Sequence, residues 1–128
     1  VLNTKNIQFE VPSVGFMTDN DIPWKGKADI ITDDFVYDIK TCSKLKSFRN
    51  SSRSYNYDSQ AFIYSKLFQK PMKFLVIEKG TGLIGIFETS DEAYDNGYYK
   101  VEAAETQFLK YFVNKEADLK NFTKYGEI

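Results

Sequence analysis

"KGKADIITDDFVYDIKT", residues 25–41, is the stretch on which the fold turns. Two runs rich in β-branched and aromatic residues, 27–32 and 35–41, flank Asp33-Asp34, a pattern that predicts a β-hairpin with a two-residue turn. Asp-Asp is a weaker turn signal than Asn-Gly, but Asp tolerates turn geometry. Counting outward, Thr32 faces Phe35, Ile31 faces Val36, Ile30 faces Tyr37 and Asp29 faces Asp38. Opposed residues hold their Cβ atoms about 4.5–5.5 Å apart on one face. Lys40, two residues past Asp38, shares that face. The hairpin therefore gathers two carboxylates and one ammonium.

Two opposed carboxylates repel, and one must take up a proton unless a cation sits between them. A divalent ion with oxygen ligands relieves the conflict. Mg²⁺ typically takes one or two carboxylates, with waters and substrate phosphate completing its shell. A lysine beside such an ion can orient or deprotonate water and stabilise charge growing on a phosphate. Those are the parts needed for phosphodiester hydrolysis. The plainer alternative is a solvent-facing Asp38–Lys40 pair that contributes little. A longer turn would also break the exact opposition.

Outward from the hairpin, "IQFEV" (7–11) reads as a strand ended by Pro12, and 12–24 is turn-rich, with "VGFM" (14–17) a strand alternative. Residues 42–57 are polar and Ser-rich and read as a loop. Residues 57–69 read as a helix whose face carries Tyr57, Gln60, Ala61, Tyr64, Leu67 and Phe68, stopped by Pro71. A second hairpin, 73–79 with 83–89, turns at Gly80-Thr81-Gly82. No Lys-Ser/Thr follows those glycines, so they are turn residues and not a phosphate loop. Ser90 with Asp91 and Glu92 starts a long helix to about 115, with Gly97 marking a break or a close contact. Tyr94, Tyr98, Phe108 and Phe112 read as its core stripe, and 118–128 is ambiguous. The order predicts an α/β domain with a mixed central sheet flanked by helices.

Bulk properties narrow the function. The 128 residues suggest one domain, long enough to bury about two thirds of its unfolded surface. Hydrophobic content of 42%, with nine Tyr and eleven Phe, argues against disorder. A net charge of −1 gives no global attraction to nucleic acid, so a local basic patch would have to supply it. The absence of histidine excludes a Ser-His-Asp triad, a Cys-His pair and His-ligated zinc. Cys42 stands alone, so no internal disulfide forms, which fits the cytoplasm; without a base partner it is a packing residue and not a nucleophile. No signal-peptide core or transmembrane-length run occurs, so no membrane association is expected. The chain opens with Val, and the expectation is a trimmed piece of something longer.

Gly26-x-x-Asp29, then Asp38-Ile39-Lys40-Thr41, then Gln60-Ala61-Phe62-Ile63-Tyr64, together resemble the PD-(D/E)XK nuclease superfamily. The RecB-like branch that includes exodeoxyribonuclease VIII-type phage recombination exonucleases has a G-x-x-D strand, a D-x-K-T strand and a helix with Q-x-x-x-Y, in that order. The match covers about residues 9–112; D-x-K alone signals little, and the combination is fairly specific. The resemblance implies a restriction-endonuclease-like core and a Mg²⁺- (or Mn²⁺-) dependent deoxyribonuclease, exonucleolytic and tied to phage-type recombination or repair. It implies Asp29 and Asp38 as metal ligands, Ile39 lending its carbonyl, and Lys40 as the catalytic lysine. Gln60 and Tyr64 would hold DNA or the lysine. DNA is the implied partner, with a strand-annealing recombination protein and an oligomer as further ones, in a cytoplasm of phage or bacterial origin.

These nucleases usually draw a further acid or histidine from a helix upstream of the first strand. Here only six residues precede "IQFEV", and Glu10, in that strand, is a weak candidate. Either the helix lies outside these 128 residues or it was lost, in which case the fold would serve as a module that binds nucleic acid or protein without cutting. Residues 43–57 carry Lys44, Lys46, Arg49 and Arg53 and no acid, interleaved with Phe48, Tyr55 and Tyr57. Such a segment can hold phosphates and stack on bases, or be a solvated loop. Trp24 reads as a packing residue.

Overall fold

The computed structural model describes residues 6–114 and 124–127; the ambiguous 118–128 segment lies mostly outside them. Five strands form one sheet in chain order: β1 (Gln8–Phe16), β2 (Pro23–Ile31), β3 (Val36–Cys42), β4 (Met72–Glu78) and β5 (Ile84–Glu88). Only β3 and β4 are parallel. A parallel pair cannot be closed by a tight turn, and the crossover consists of α1 (Leu45–Ser54) and α2 (Tyr57–Phe68). After β5 comes α3 (Asp91–Phe108), which runs into a π-helical turn, Leu109–Val113. The mixed sheet with helices is the expected α/β architecture.

The hairpin register is the one counted from the sequence, with Ile31 opposite Val36 and Ile30 opposite Tyr37. Thr32 closes the turn: its N–H donates to Phe35 O (2.9 Å), and its hydroxyl accepts from the Phe35 N–H (3.1 Å). The second hairpin also forms, with Gly80 and Gly82 at φ +89° and +74°. Those are conformations that glycine adopts without Cβ strain.

Two segments differ from expectation. β1 does not stop at Pro12 but continues to Phe16, taking in most of the 14–17 strand alternative, with Pro12 opposite Lys27. Proline is tolerated there because β1 is an edge strand, where a missing N–H removes no ladder bond on the open side. The second difference is that 45–54 is a helix and not a loop. Its apolar face is small, Leu45 and Phe48, but Phe48 is buried and packs on Tyr57, Phe74 and Phe87. Lys44 gives α1 no side-chain cap. The cap comes from the neighbouring strand instead: the Leu45 N–H donates to Glu78 Oε2 at 2.8 Å. That bond, with one from Thr81, holds the Glu78 carboxyl below its usual range.

α2 lies against the sheet, and its buried Ala61 joins Met72, Phe74 and Val76 in the main core. Gly97 proves to be a close contact: a Cβ there would stand 2.2 Å from Asp58 O and 2.8 Å from Phe62 Cβ, so α3 crosses α2 with no room for a side chain. Tyr94 and Tyr98 are half-buried as expected, but Phe108 and Phe112 are exposed and stack on each other, centroids 5.5 Å apart. They fall past the point where α3 leaves the core, which ends at Val101 and Glu105. Trp24 packs beside Met17, Phe62 and Val101, as expected. Its indole N–H donates to Glu105 Oε2 (3.1 Å), a carboxylate also held by Thr18 and Asn20.

Candidate metal and phosphodiester site

The regular alternation of β2 breaks at Asp29. Ladder pairs Phe9–Ile30 and Val11–Ala28 bracket Glu10 and Asp29, which are not themselves a pair, and Glu10 has φ +55°. Ala28 and Ile31, three residues apart, consequently pack into the same cluster with Val36. On the other side the β2–β3 ladder ends at Ile30–Tyr37. The expected direct pairing of Asp29 with Asp38 is therefore replaced by a side-chain bridge. Asp29 Oδ2 accepts the Ile39 N–H at 2.8 Å. The strand spends a backbone pair there and gains a carboxylate turned onto β3.

Asp38 is buried, 6% exposed, and sits beside Phe74 of β4. Burial pushes its carboxyl above the usual value, the neighbouring Asp29 adds to that, and Lys40 pulls the other way. The two carboxylates thus do meet. Lys40 Nζ lies 2.8 Å from Asp38 Oδ2. That buried oxygen is thus ion-paired with the Lys40 ammonium, which works against the effect of burial on the carboxyl. On its other side Lys40 lies over the Tyr57 ring, 4.5 Å from the centroid. A cation over an aromatic face is attracted by the ring quadrupole, so Lys40 is held between a carboxylate and a tyrosine.

These groups fit a hard divalent cation. The donors are all oxygen: the Asp29 carboxylate, the buried Asp38 carboxylate and the carbonyl of Ile39 between Asp38 and Lys40. Among the described residues no three Asp, Glu, His or Cys side chains come together. A cation here would keep waters or take phosphate oxygens, as Mg²⁺ does.

The other expected residues fall as follows. Glu10 lies on β1 and pairs with Lys27 (2.9 Å), both 62% exposed, so it does not join Asp29 and Asp38. That pairing raises the Lys27 amine. Gln60 is half-buried, one turn beyond Tyr57 on α2. Tyr64 is a packing residue. Its ring would meet a Cβ at Gly26 within 2.8 Å, and its hydroxyl donates to Lys27 O at 3.3 Å. Gly26 and Tyr64 of the two motifs are thus one contact. Lys44 precedes α1, while Lys46, Arg49 and Arg53 lie on α1 at i, i+3 and i+7, one exposed face opposite Phe48. Arg53 pairs with Glu92 at 2.8 Å. Phe48 is core, so it is not available to stack on a base.

Sequence reasoning missed two members of this neighbourhood. Tyr57 appeared only as one aromatic among several, and its place over Lys40 depends on the α1–α2 corner. Asp58 carried no signal; it is buried, with its Oδ1 accepting from Lys100 Nζ (2.9 Å) and the Ser59 N–H (2.8 Å). Among the described residues no helix is long and apolar enough to cross a membrane.

Comparison with known proteins agrees with this architecture. A crystal structure from Eubacterium rectale, named "Putative exonuclease", superposes with a TM-score of 0.69 at 18% identity, over 94% of this chain and 53% of that one. A crystal structure of SSO0001 gives 0.52 at 18% identity, over 79% and 50%. The chain thus spans about half the length of these two proteins. At such identity the likeness shows the fold. No curated protein sequence matches significantly. Residues 10–118 match the family model described as a PDDEXK-like domain of unknown function (DUF3799), and the chain belongs to that family, within the PD-(D/E)XK nuclease superfamily.

Proposed function

We propose that this domain hydrolyses DNA phosphodiester bonds with a divalent metal, Mg²⁺ or Mn²⁺, and acts as an exonuclease of the exodeoxyribonuclease VIII type in phage-type recombination or repair. One observation carries the reading: Asp38 is buried beside a second carboxylate, Asp29, with the Lys40 ammonium 2.8 Å from its Oδ2. Two carboxylates and an ammonium gathered on neighbouring strands are costly as structure alone, which supports a functional site. The name of the Eubacterium rectale structure, "Putative exonuclease", supports the exonucleolytic part of this reading alone.

Asp29, Asp38 and the Ile39 carbonyl would hold the cation, which supplies Lewis-acid polarisation of a phosphate oxygen and a more acidic water. Lys40 acts from beside Asp38. The Tyr57 ring and the Asp38 carboxylate fix its ammonium. From there its N–H groups donate hydrogen bonds that orient the attacking water or stabilise the charge that grows on the phosphate oxygen. The Asp29–Ile39 bond locks the two strands at the place where the chemistry needs fixed geometry. Lys46, Arg49 and Arg53 give α1 a cationic face for the DNA backbone.

A second reading has its own observation. With only two carboxylates gathered among the described residues, the fold could bind nucleic acid without cutting it. Calorimetric titration with Mn²⁺, with and without a DNA duplex, separates the two. Metal binding that disappears in Asp38→Asn favours the enzyme. DNA binding with no metal binding favours the non-cutting module and overturns the proposal.

A further inference from the structure

Lys100 of α3 spends its whole ammonium on one short stretch of chain. Its Nζ donates to Arg53 O (3.0 Å), Asn56 Oδ1 (3.1 Å) and Asp58 Oδ1 (2.9 Å). An ammonium has three protons to give, and all three go to residues 53–58, the corner where α1 turns into α2. Gly97, one turn earlier on the same face of α3, lets the helix approach closely enough, since it stands against Asp58 O. The Asp58 side chain is 6% exposed, so this is not a solvated pair that opens freely.

The corner is short and its own side chains do not cap it. Only Tyr55 and Asn56 separate the two helices, and Asn56 is left-handed, with φ +59°. Asn56 stands at the N-cap of α2 without making a side-chain cap bond; its oxygen faces Lys100 instead. Arg53 O is one of the last carbonyls of α1, where the helix dipole favours a cation. Tyr57 lies between Asn56 and Asp58, so one ammonium holds the residue before it and the residue after it. Its ring is the one over which Lys40 Nζ rests, 4.5 Å from the centroid. The contacts of that ring with Phe48 and Phe74, both at 5.7 Å, are apolar and weakly directional. The hydrogen bonds to its two neighbours set where along them it rests.

We propose that Lys100 is a positioning residue of the candidate site: it sets the corner, the corner sets Tyr57, and Tyr57 sets the Lys40 ammonium. The catalytic consequence rests on Lys40 acting in DNA hydrolysis. The linkage from Lys100 to Lys40 is a property of the fold and is tested without it.

The first readout needs no cleavage. Protons held over an aromatic face are shifted upfield by the ring current. The NMR signal of the Lys40 ε-methylene, identified by its loss in Lys40→Ala, should therefore lie upfield in the metal-free protein and move downfield in Tyr57→Leu. Lys100→Met keeps the apolar stem and removes the ammonium. In that variant the Lys40 signal should move the same way, while the methyls of buried Met72 and Val76 stay in place. Because Lys100→Met leaves the buried Asp58 charge unpaired, it could fail to fold, so Asn56→Gly serves beside it. Glycine accepts the left-handed backbone and only the Oδ1 contact is lost, so a smaller downfield move is expected. With linear DNA and Mg²⁺, kcat of folded Lys100→Met should fall about tenfold or more with KM unchanged. Lys100→Met should add nothing to the loss already present in Tyr57→Leu. A Lys40 signal that is not upfield in wild type, or that stays in place in the variants that fold, overturns the proposal. An unchanged kcat, a loss confined to KM, or losses that multiply in the double variant overturn it as well. A wild type that cuts no DNA overturns the nuclease reading instead, and the Lys40 signal then decides the linkage by itself.

Discussion

Gly26→Ala tests whether the glycine and tyrosine of the two motifs form one packed unit. The new Cβ would lie 2.8 Å from Tyr64 Cε1, 3.0 Å from Leu67 Cδ1 and 3.2 Å from Tyr64 Cζ. Tyr64 has little freedom to retreat, because its hydroxyl is bonded to Lys27 O and its ring meets Phe68 edge-on at 6.1 Å. Either α2 lifts or β2 shifts. Overpacking of this kind costs about 1–3 kcal/mol. Replacing glycine in an extended strand returns roughly 0.5–1 kcal/mol through the unfolded chain. The net expectation is a loss of about 1–2 kcal/mol, or about 4–8 °C in Tm for a domain of this size. Trp24, the single tryptophan, provides the fluorescence signal for urea or thermal unfolding. Tyr64→Leu removes the clashing ring atoms, so the double variant should be more stable than the sum of the singles by about 1 kcal/mol. A Gly26→Ala protein within about 0.5 kcal/mol of wild type, or strict additivity with Tyr64→Leu, would refute the reasoning.

Gly97→Ala should be the harsher change, about 3 kcal/mol or more by urea unfolding, because its Cβ meets backbone at 2.2 Å; the helix-propensity gain of about 1 kcal/mol does not offset it. Trp24→Phe removes a donor to the 1% exposed Glu105 carboxylate and should lower stability by about 1.5–3 kcal/mol, followed by circular dichroism. Asp38 has a pH signature. Its folded pKa lies above 3.8, so the folded chain keeps a proton that the unfolded chain has released. Its contribution to stability therefore falls as pH rises from about 3.8 and levels off above the folded pKa. The metal-free difference between wild type and Asp38→Asn should show that slope, and Mg²⁺ should reverse it by favouring the ionised carboxylates. A flat difference counts against the paired-carboxylate geometry.

The hairpin was legible because strand pairing is set by counting from a turn, and Asp33-Asp34 leaves one register. Counting could not show that the ladder breaks at Asp29, since that depends on the left-handed Glu10 on a third strand-side neighbour. α1 was illegible for a different reason. Its cap, Glu78, is 33 residues away, and its apolar face is just Leu45 and Phe48, so local signals read as loop. The carboxylates that matter divide the same way. Asp29 and Asp38 lie in strands where a charge is conspicuous, whereas Asp58 and Glu105 lie in helices where an acid is ordinary. Only tertiary packing buries the latter pair, against Lys100 and Trp24. Phe108 and Phe112 continue the helical stripe in sequence, but α3 has by then left the body it packs on, so periodicity overstated the core.

The most direct measurement is the cleavage of linear double-stranded and single-stranded DNA in Mg²⁺, Mn²⁺ and EDTA, by wild type beside folded Lys40→Ala. The account predicts degradation that requires the metal and falls about 10²-fold or more without the lysine. Cleavage that survives EDTA, or that Lys40→Ala leaves unchanged, would contradict it, as would a folded wild type that cuts neither substrate in any metal.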